Sequence, residues 1–250
     1  MASPKVTVLS GPTTPGTQND HELASARTAL TLLKTRLGKA ALKTLLAEDI
    51  AAADTYWKSF TSPSTTPSEI PYAPISVTLR AQGISSAELL AWFKESMSDI
   101  QTMWAGHPEH YINGHEVLET IDSHVSLFDL HFFPDGQPPD FVSKLLREEG
   151  KYPISMAAAG LLQADPRIVV GYACHQFRDL EGGELEVGGN GRGFEVKVGG
   201  CLPEGVGEVV REAQRRHLAV EWRNWIGMAV ESVLGKEKGE GVNGEGTGEK

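Results

Sequence analysis

The sequence predicts an α+β protein in which a curved antiparallel sheet grips a long C-terminal helix, with a helical arm ahead of it. Three patterns predict this class. Apolar residues recur at helical spacing from Asp20 to Phe60, period-two segments crowd the region from Ile75 to Cys201, and Glu204 to Leu234 reads as one long helix.

Residues 1–18 are polar, rich in Pro, Thr and Gly, and without periodicity, so they are expected to be disordered. Asp20 reads as a helix cap. Leu23, Ala26, Leu30, Leu33, Leu37, Ala41 and Leu45 then continue to Ile50, Ala53 and Trp57 as a helical arm over 19–60, which Gly38 should break or bend. Four prolines mark 61–74 as a linker. The main domain should occupy 75–234.

Within it, Ile75, Val77, Leu79 and Ala81 alternate with Ser76, Thr78 and Arg80, the pattern of a half-buried strand. Ser85 or Ser86 caps a helix carrying Leu89, Leu90, Trp92, Phe93 and Met97, and the helical pattern stops around Gly106 and Pro108. The extended segments Ile112–Asp122 and Val125–Phe133 should form a hairpin about Ser123-His124. A turn over Asp135–Pro139 and a short helix over Phe141–Glu149 follow. Ile154–Leu162, Ile168–Asp179 and Phe194–Cys201 then make a meander, with the glycine-rich Gly182–Gly193 as one turn. The tail 235–250 is mostly Gly, Glu and Lys and should be disordered.

Composition narrows the function. Hydrophobic residues at 40% and charged ones at 22% are ordinary for a globular chain, and 250 residues can bury a sizeable core. A net charge of −10 argues against nucleic acid and anionic membranes as partners, because both need clustered Lys and Arg. Two cysteines, Cys174 and Cys201, are too few for a disulfide framework and fit a reducing compartment, although one bridge between them remains open. No stretch approaches the roughly 20 apolar residues of a membrane span, and no signal-like run is present. A cytoplasmic protein is expected. Nothing in the pattern specifies an oligomeric state.

The sharpest functional feature lies on the terminal helix. At about 100° per residue, His217, Glu221 and Asn224 share a stripe with Val206, Val210, Ala213 and Met228, while Glu208, Glu212 and Arg215 lie opposite. An inward imidazole and carboxylate one turn apart need partners or a ligand. Sharing a hydrogen bond, they would make His217 a general base oriented by Glu221; a buried, idle polar bridge would use the same pattern.

Other candidates surround this pair. His175 shares a strand face with Gly171, Ala173 and Phe177, where small residues leave room for a ligand or for a closely packed helix. Glu119 sits in an apolar row with Val117 and Ile121, and Asp129 and His131 share a row with Leu127 and Phe133. Arg178 and Asp179 read as structural ion pairing. His110, Tyr111 and Trp225 are taken as further contacts to a ligand, and Phe128, Phe132 and Trp222 as possible walls of a pocket for a planar molecule. The run His107, Pro108, Glu109, His110 invites a metal, with Glu116 or Glu119 as third ligand. Histidines three apart align only on a helix, however, and Gly106 with Pro108 opposes one. HExxH, P-loop, nucleophile-elbow and dinucleotide motifs are missing. Neither metal nor cofactor is expected.

The order of strand, helices, antiparallel strands and long final helix resembles the helix-grip arrangement of the START-like superfamily, which includes polyketide cyclases and aromatases. Met103–Thr120 (MWAGHPEHYINGHEVLET) looks like the tryptophan-proline passage by which many members enter the next strand. The resemblance covers roughly 75–234 and rests on element order. It implies a curved sheet gripping a helix around an apolar cavity that binds lipids, polyketides or aromatic molecules. On that basis the expected function is a cofactor-independent lyase, cyclase or hydrolase acting on a small hydrophobic molecule, such as a polyketide-derived one, in secondary metabolism. The alternative is a carrier that binds such a molecule unchanged. In the enzyme, His217 and Glu221 would be catalytic, and His110, Tyr111, Glu119, His175, Asn224 and Trp225 would bind substrate.

Overall fold

The computed structural model describes residues 17–61, 64–148, 150–187 and 189–242. Helices α1 (Gln18–Leu45) and α2 (Ala47–Lys58) precede β1 (Tyr72–Gln82), α3 (Ser86–Ser96) and α4 (Ile100–Gly106). Then come β2 (His110–Ile112), β3 (Glu116–Ile121), β4 (His124–Phe132), α5 (Asp140–Leu146), β5 (Ile154–Leu162), β6 (Val169–Asp179), β7 (Gly193–Pro203) and α6 (Gly207–Val242). The seven strands form one antiparallel sheet in the order β1-β7-β6-β5-β4-β3-β2. The α+β class expected from the sequence is the observed one: a curled half-barrel sheet with α6 against it and an N-terminal helical arm.

Two devices curl the sheet. A register shift in the pairing of β5 with β6 falls between Gly160 and Leu161, which pair with Gly171 and Val169 and leave Val170 as an extra residue. Neighbouring backbones also approach too closely for side chains. A Cβ on Gly200 would lie 2.3 Å from the Tyr172 carbonyl oxygen, and one on Gly171 2.8 Å from that of Cys201. Simple alternation places Val170 with Tyr172 and Cys174. The bulge reverses its phase, so that Val170 joins the main core while Tyr172 and Cys174 pack on the other face.

Helix α6 presents Val210, Leu218, Trp222, Ile226 and Ala229 to that core, and Val206, just before the helix, joins them. Trp222 stacks on Phe93 of α3 with centroids 5.7 Å apart and planes 9° from parallel. The single helix read from Ser85 onward is in fact two. Ser85 caps α3 through a capping box with Glu88, and Asp99 caps α4 by accepting from the Gln101 N–H at 3.0 Å.

The arm packs on the sheet. Trp57, fully buried, joins the main core and donates from Nε1 to Ser126 Oγ at 2.9 Å. Leu46 and Ile50 cover Ile112, Leu118 and Leu127 on the outer face. Gly38, at φ 70°, ψ 170°, interrupts α1 as its sequence suggests.

Several boundaries differ from expectation. Helix α1 begins at Gln18 with Thr17 as cap, and Asp20 is the reciprocal capping-box partner rather than the cap. The linker ends earlier than Pro74, because Tyr72 already pairs with Pro203 and β1 is an edge strand, where a proline lacking an N–H is tolerated. Ile112–Asp122 is not one strand: β2 ends at Ile112, β3 starts at Glu116, and the hairpin turn is Asp122-Ser123 with Asp122 at φ 57°. Helix α6 passes Leu234 and reaches Val242, so residues 235–242 are helical rather than disordered. Lys236 Nζ lies 3.7 Å from Glu95 Oε2 of α3. The disorder expected for 1–16 and 243–250 lies outside the described residues. Cys174 and Cys201 are both free and buried. Among the described residues no helix is long and apolar enough to cross a membrane.

Candidate functional site

Between the concave face of the sheet and α6 lies a cavity of about 180 Å³. Phe93, Phe128, Leu130, Phe132, Met156 and Trp222 supply much of its apolar wall, so the pocket contacts expected of Phe128, Phe132 and Trp222 are present. Ala158, Gly171, Ala173, Gly199 and Gly200 line the sheet side, where small residues leave the space open. An engineered apolar cavity of about 150 Å³ admits benzene, so this volume suits one ring or a compact bicycle.

One wall is polar. Glu119 of β3 and His217 and Glu221 of α6 line the cavity, and His110 of β2 meets them from behind. The Nε2 atoms of His110 and His217 are 3.0 Å apart. His110 Nε2 is also 3.3 Å from Glu119 Oε2 and 3.3 Å from Glu221 Oε1, and His217 Nε2 is 3.9 Å from Glu119 Oε2. All four residues are buried, His110 completely.

The rear nitrogens of the two imidazoles are held as well. Asn113 places its side-chain amide 3.0 Å from His110 Nδ1. His217 Nδ1 faces Glu109 Oε2 at 3.5 Å, a charge contact longer than a good hydrogen bond, and otherwise has no hydrogen-bond partner among the described residues. His107 stacks on His217 with ring centroids 4.0 Å apart.

Local sequence explains these positions. A register shift between His110 and Ile112 in the β2–β3 pairing turns His110 inward while Ile112 packs outward. Lys34 of α1, itself buried, donates from Nζ to the carbonyl oxygens of Pro108, at 2.6 Å, and His110, pinning this segment. Glu119 is inward because it alternates with Val117 and Ile121, as the sequence indicates.

Charge is strongly redistributed inside the cluster. Burial pushes the Glu221 carboxyl up to about 8, with the His217 charge opposing and the Glu119 charge adding. Burial works against the His217 cation, but the contact with Glu109 and the charges of Glu119 and Glu221 outweigh it and hold the imidazole above its ordinary value. For Glu119, burial is outweighed by the bond to His110 and by the neighbouring imidazoles, and its carboxyl lies below the usual range. Burial first, then His217 and His110, depress His107 to about 3.

Of the residues expected to act, His217, Glu221, His110, Glu119, His175 and Trp225 come together here. The expected hydrogen bond between His217 and Glu221 is not formed. Both side chains turn to His110 instead, so Glu221 orients the imidazole of β2 rather than its helical neighbour. His175 lines the cavity away from the cluster, accepts from the Gly199 N–H at Nδ1 (3.3 Å), and meets the edge of Trp222 at 4.7 Å. Burial lowers it to about 4, which keeps it neutral at pH 7.

Two expected contacts are elsewhere. Tyr111 follows the β2 irregularity outward, beneath α1, where its ring lies 5.3 Å from Lys34 Nζ. Asn224 sits at the rim of the inward stripe and donates to the Gly106 carbonyl at 2.8 Å, satisfying the C-terminal end of α4. Asp129 and His131 belong to the outer row of β4; Phe128, Leu130 and Phe132 are the inner one. Arg178 pairs with Glu195 across the strands and with Glu184 in the turn, the structural role expected of it, whereas Asp179, expected to pair with a charge as well, accepts from the Ser86 N–H.

Gln214 escaped the sequence reading. Buried one turn before His217 and Leu218, it lines the cavity with Oε1 lacking any hydrogen-bond donor among the described residues. Its three-residue spacing from His217 was the available signal. Glu109, too, stood in the metal-like run without a role of its own.

No family model matches the chain, and no curated protein matches it either.

Proposed function

We propose that the protein is an enzyme, a lyase, cyclase or hydrolase, acting on a small hydrophobic molecule held between the sheet and α6. One observation carries the reading. His110, His217, Glu119 and Glu221 are buried together at the wall of a cavity that is otherwise apolar. Burying four ionisable groups opposes folding unless each is paired, and Glu119 and Glu221 share one imidazole between them. Clusters of this kind are characteristic of reactive sites.

His217 and Glu221 border the cavity and are placed to move protons at the substrate, with His110 behind them as positioning residue. The unpartnered Gln214 Oε1 offers an acceptor to a hydroxyl or amine of the ligand. The apolar wall and the volume favour an aromatic or polyketide-derived molecule of one or two rings. The resemblance in element order to START-like proteins agrees with a ligand in this location.

The test combines binding with turnover. Aromatic probes such as 2-naphthol should quench the fluorescence of Trp222 and Trp225, and native mass spectrometry of the purified full chain should reveal a bound small molecule. In His217→Gln, retained binding with lost turnover supports the enzyme. Binding and no turnover in either form would leave a carrier, a role the apolar wall also suits.

A further inference from the structure

His110 Nε2 can carry at most one proton, yet three potential acceptors surround it. His217 Nε2 is 3.0 Å away, and Glu119 Oε2 and Glu221 Oε1 are each 3.3 Å away. One N–H points at one acceptor, so two lone pairs remain directed at a nitrogen that offers them nothing. Either several extra protons are stored in this buried space, or a cation sits where the lone pairs converge.

The rings are held as metal ligands are. Glu109 faces Nδ1 of His217 and the Asn113 amide faces Nδ1 of His110. The structure sets Asn113 Nδ2 toward His110 Nδ1. An amide rotated by 180°, with its oxygen toward the ring, puts the His110 proton at Nδ1 as for His217 beside Glu109, and both then aim a free Nε2 inward, with outer partners of the kind that accompany ligating histidines. The spacing also fits. Four ligands about 2.0–2.1 Å from a tetrahedral zinc ion are separated by about 3.3 Å. His110 Nε2 is 3.0 Å from His217 Nε2 and 3.3 Å from Glu221 Oε1, and the ligand atoms of these three residues all lie within 4.8 Å of one another; Glu119 Oε2 is 3.3 Å from His110 but 3.9 Å from His217.

We propose that His110, His217 and Glu221, with the Glu119 carboxylate beside them, form a binding site for a divalent first-row transition metal ion. Two imidazole nitrogens disfavour magnesium and calcium, which take oxygen ligands, and the lack of cysteine disfavours copper(I). The ligands come from β2, β3 and α6, so no linear motif announces them. Glu119, His217 and Glu221 line the cavity, which puts the ion at its wall. There it would act as a Lewis acid toward a carbonyl or lower the pKa of a bound water. With the ion bound, His217 and Glu221 would hold it rather than move protons themselves, and proton transfer would fall to its bound water; this deepens the enzyme reading and rests on it for its chemical purpose, whereas metal uptake can be measured independently.

The full chain, stripped with EDTA and dialysed, is titrated with Zn²⁺ by calorimetry and with Co²⁺ by visible absorption. One tight equivalent is expected, with cobalt bands far stronger than those of the aqueous ion. Affinity should fall at least about tenfold in Glu221→Gln, and more in His110→Ala and His217→Ala; Glu109→Gln, behind the ligands, should lose about tenfold. Absence of stoichiometric zinc uptake by the wild type overturns the proposal. So does uptake that survives Glu119→Gln and Glu221→Gln but is lost in His107→Ala, since His107, Glu109 and His217 form another convergence on the far side of His217. If the alanine variants fail to fold, the cobalt spectrum of the wild type and of the isosteric Glu221→Gln decides. Probing the same samples with 2-naphthol separates the two readings: naphthol binding with turnover but no zinc removes the metal alone, and zinc without naphthol binding removes the cavity reading alone.

Discussion

His110 and His217, 107 residues apart in the chain, place their Nε2 atoms 3.0 Å from each other at the wall of the cavity. The contact ties a bulged edge strand to the final helix and draws in Glu119 and Glu221. Removing His110 therefore leaves two buried carboxylates without their shared partner. In EDTA, His110→Ala is expected to destabilise by about 1–3 kcal/mol, the usual cost of leaving buried polar groups without a hydrogen-bond partner. Glu221→Gln, which removes one of two adjacent acids, should cost less than about 1 kcal/mol or stabilise. Urea unfolding of the three proteins checks the order; equal losses would mean that the carboxylates do not depend on His110.

Gly106 should be intolerant of any side chain. A Cβ there would lie 2.3 Å from Trp225 Nε1, so α4 and α6 touch only because this residue is glycine. Gly106→Ala is expected to destabilise by about 1–3 kcal/mol through overpacking and to shift the indole at the cavity wall. Denaturant unfolding followed by tryptophan fluorescence reports both effects.

Much of this architecture is legible in the sequence, and the failures have identifiable causes. The inward row of Glu119 follows from alternation, since no register shift interrupts β3 from Glu116 to Ile121. The ligand contact expected of Tyr111 and the face that simple alternation gives Val170 both fail at a register shift, where a single extra residue inverts the side chains beyond it. The pairing of His217 with Glu221 followed from helical geometry alone. It overlooked His110, whose approach depends on long-range strand pairing that no local window contains.

Lys34 is expected to support the site from outside. Its Nζ donates to the carbonyls of Pro108 and His110, and the residue is only 2% exposed. Lys34→Met preserves the length of the side chain but leaves those acceptors unsatisfied, at a cost of about 1–3 kcal/mol. Because one carbonyl belongs to His110 itself, turnover should decline along with the melting temperature. A full loss of stability with unchanged turnover would detach the arm from the site.

His175 should impose a pH dependence on stability. Burial lowers its folded value to about 4 from 6.5, so the unfolded chain binds the proton more readily. Stability is then fully present above about pH 6.5 and is lost as pH falls toward 4, with about 2 kcal/mol gone between pH 7 and pH 5. His175→Asn, whose Oδ1 can still accept from the Gly199 N–H, should lack that component. Unfolding free energies of both proteins at the two pH values give the difference; identical slopes would show that His175 is protonated without penalty.

Ala173 offers a way to close the cavity without touching its polar wall. It lies in the small-residue row of β6, between Gly171 and His175, and lines the same space as Phe128 and Trp222. A leucine there occupies a large part of a volume of about 180 Å³ and buries apolar surface in it, which contributes about 25 cal/mol per Å² where the rotamer fits. Ala173→Leu is therefore expected to keep or raise the melting temperature while weakening 2-naphthol at least about tenfold, the factor that about 1.4 kcal/mol of lost contact produces. Zinc affinity should be unaffected, because none of His110, His217, Glu119 and Glu221 is altered. Fluorescence titration and calorimetry on one preparation measure both. Undiminished naphthol binding in this variant would mean that aromatic ligands do not enter between the sheet and α6.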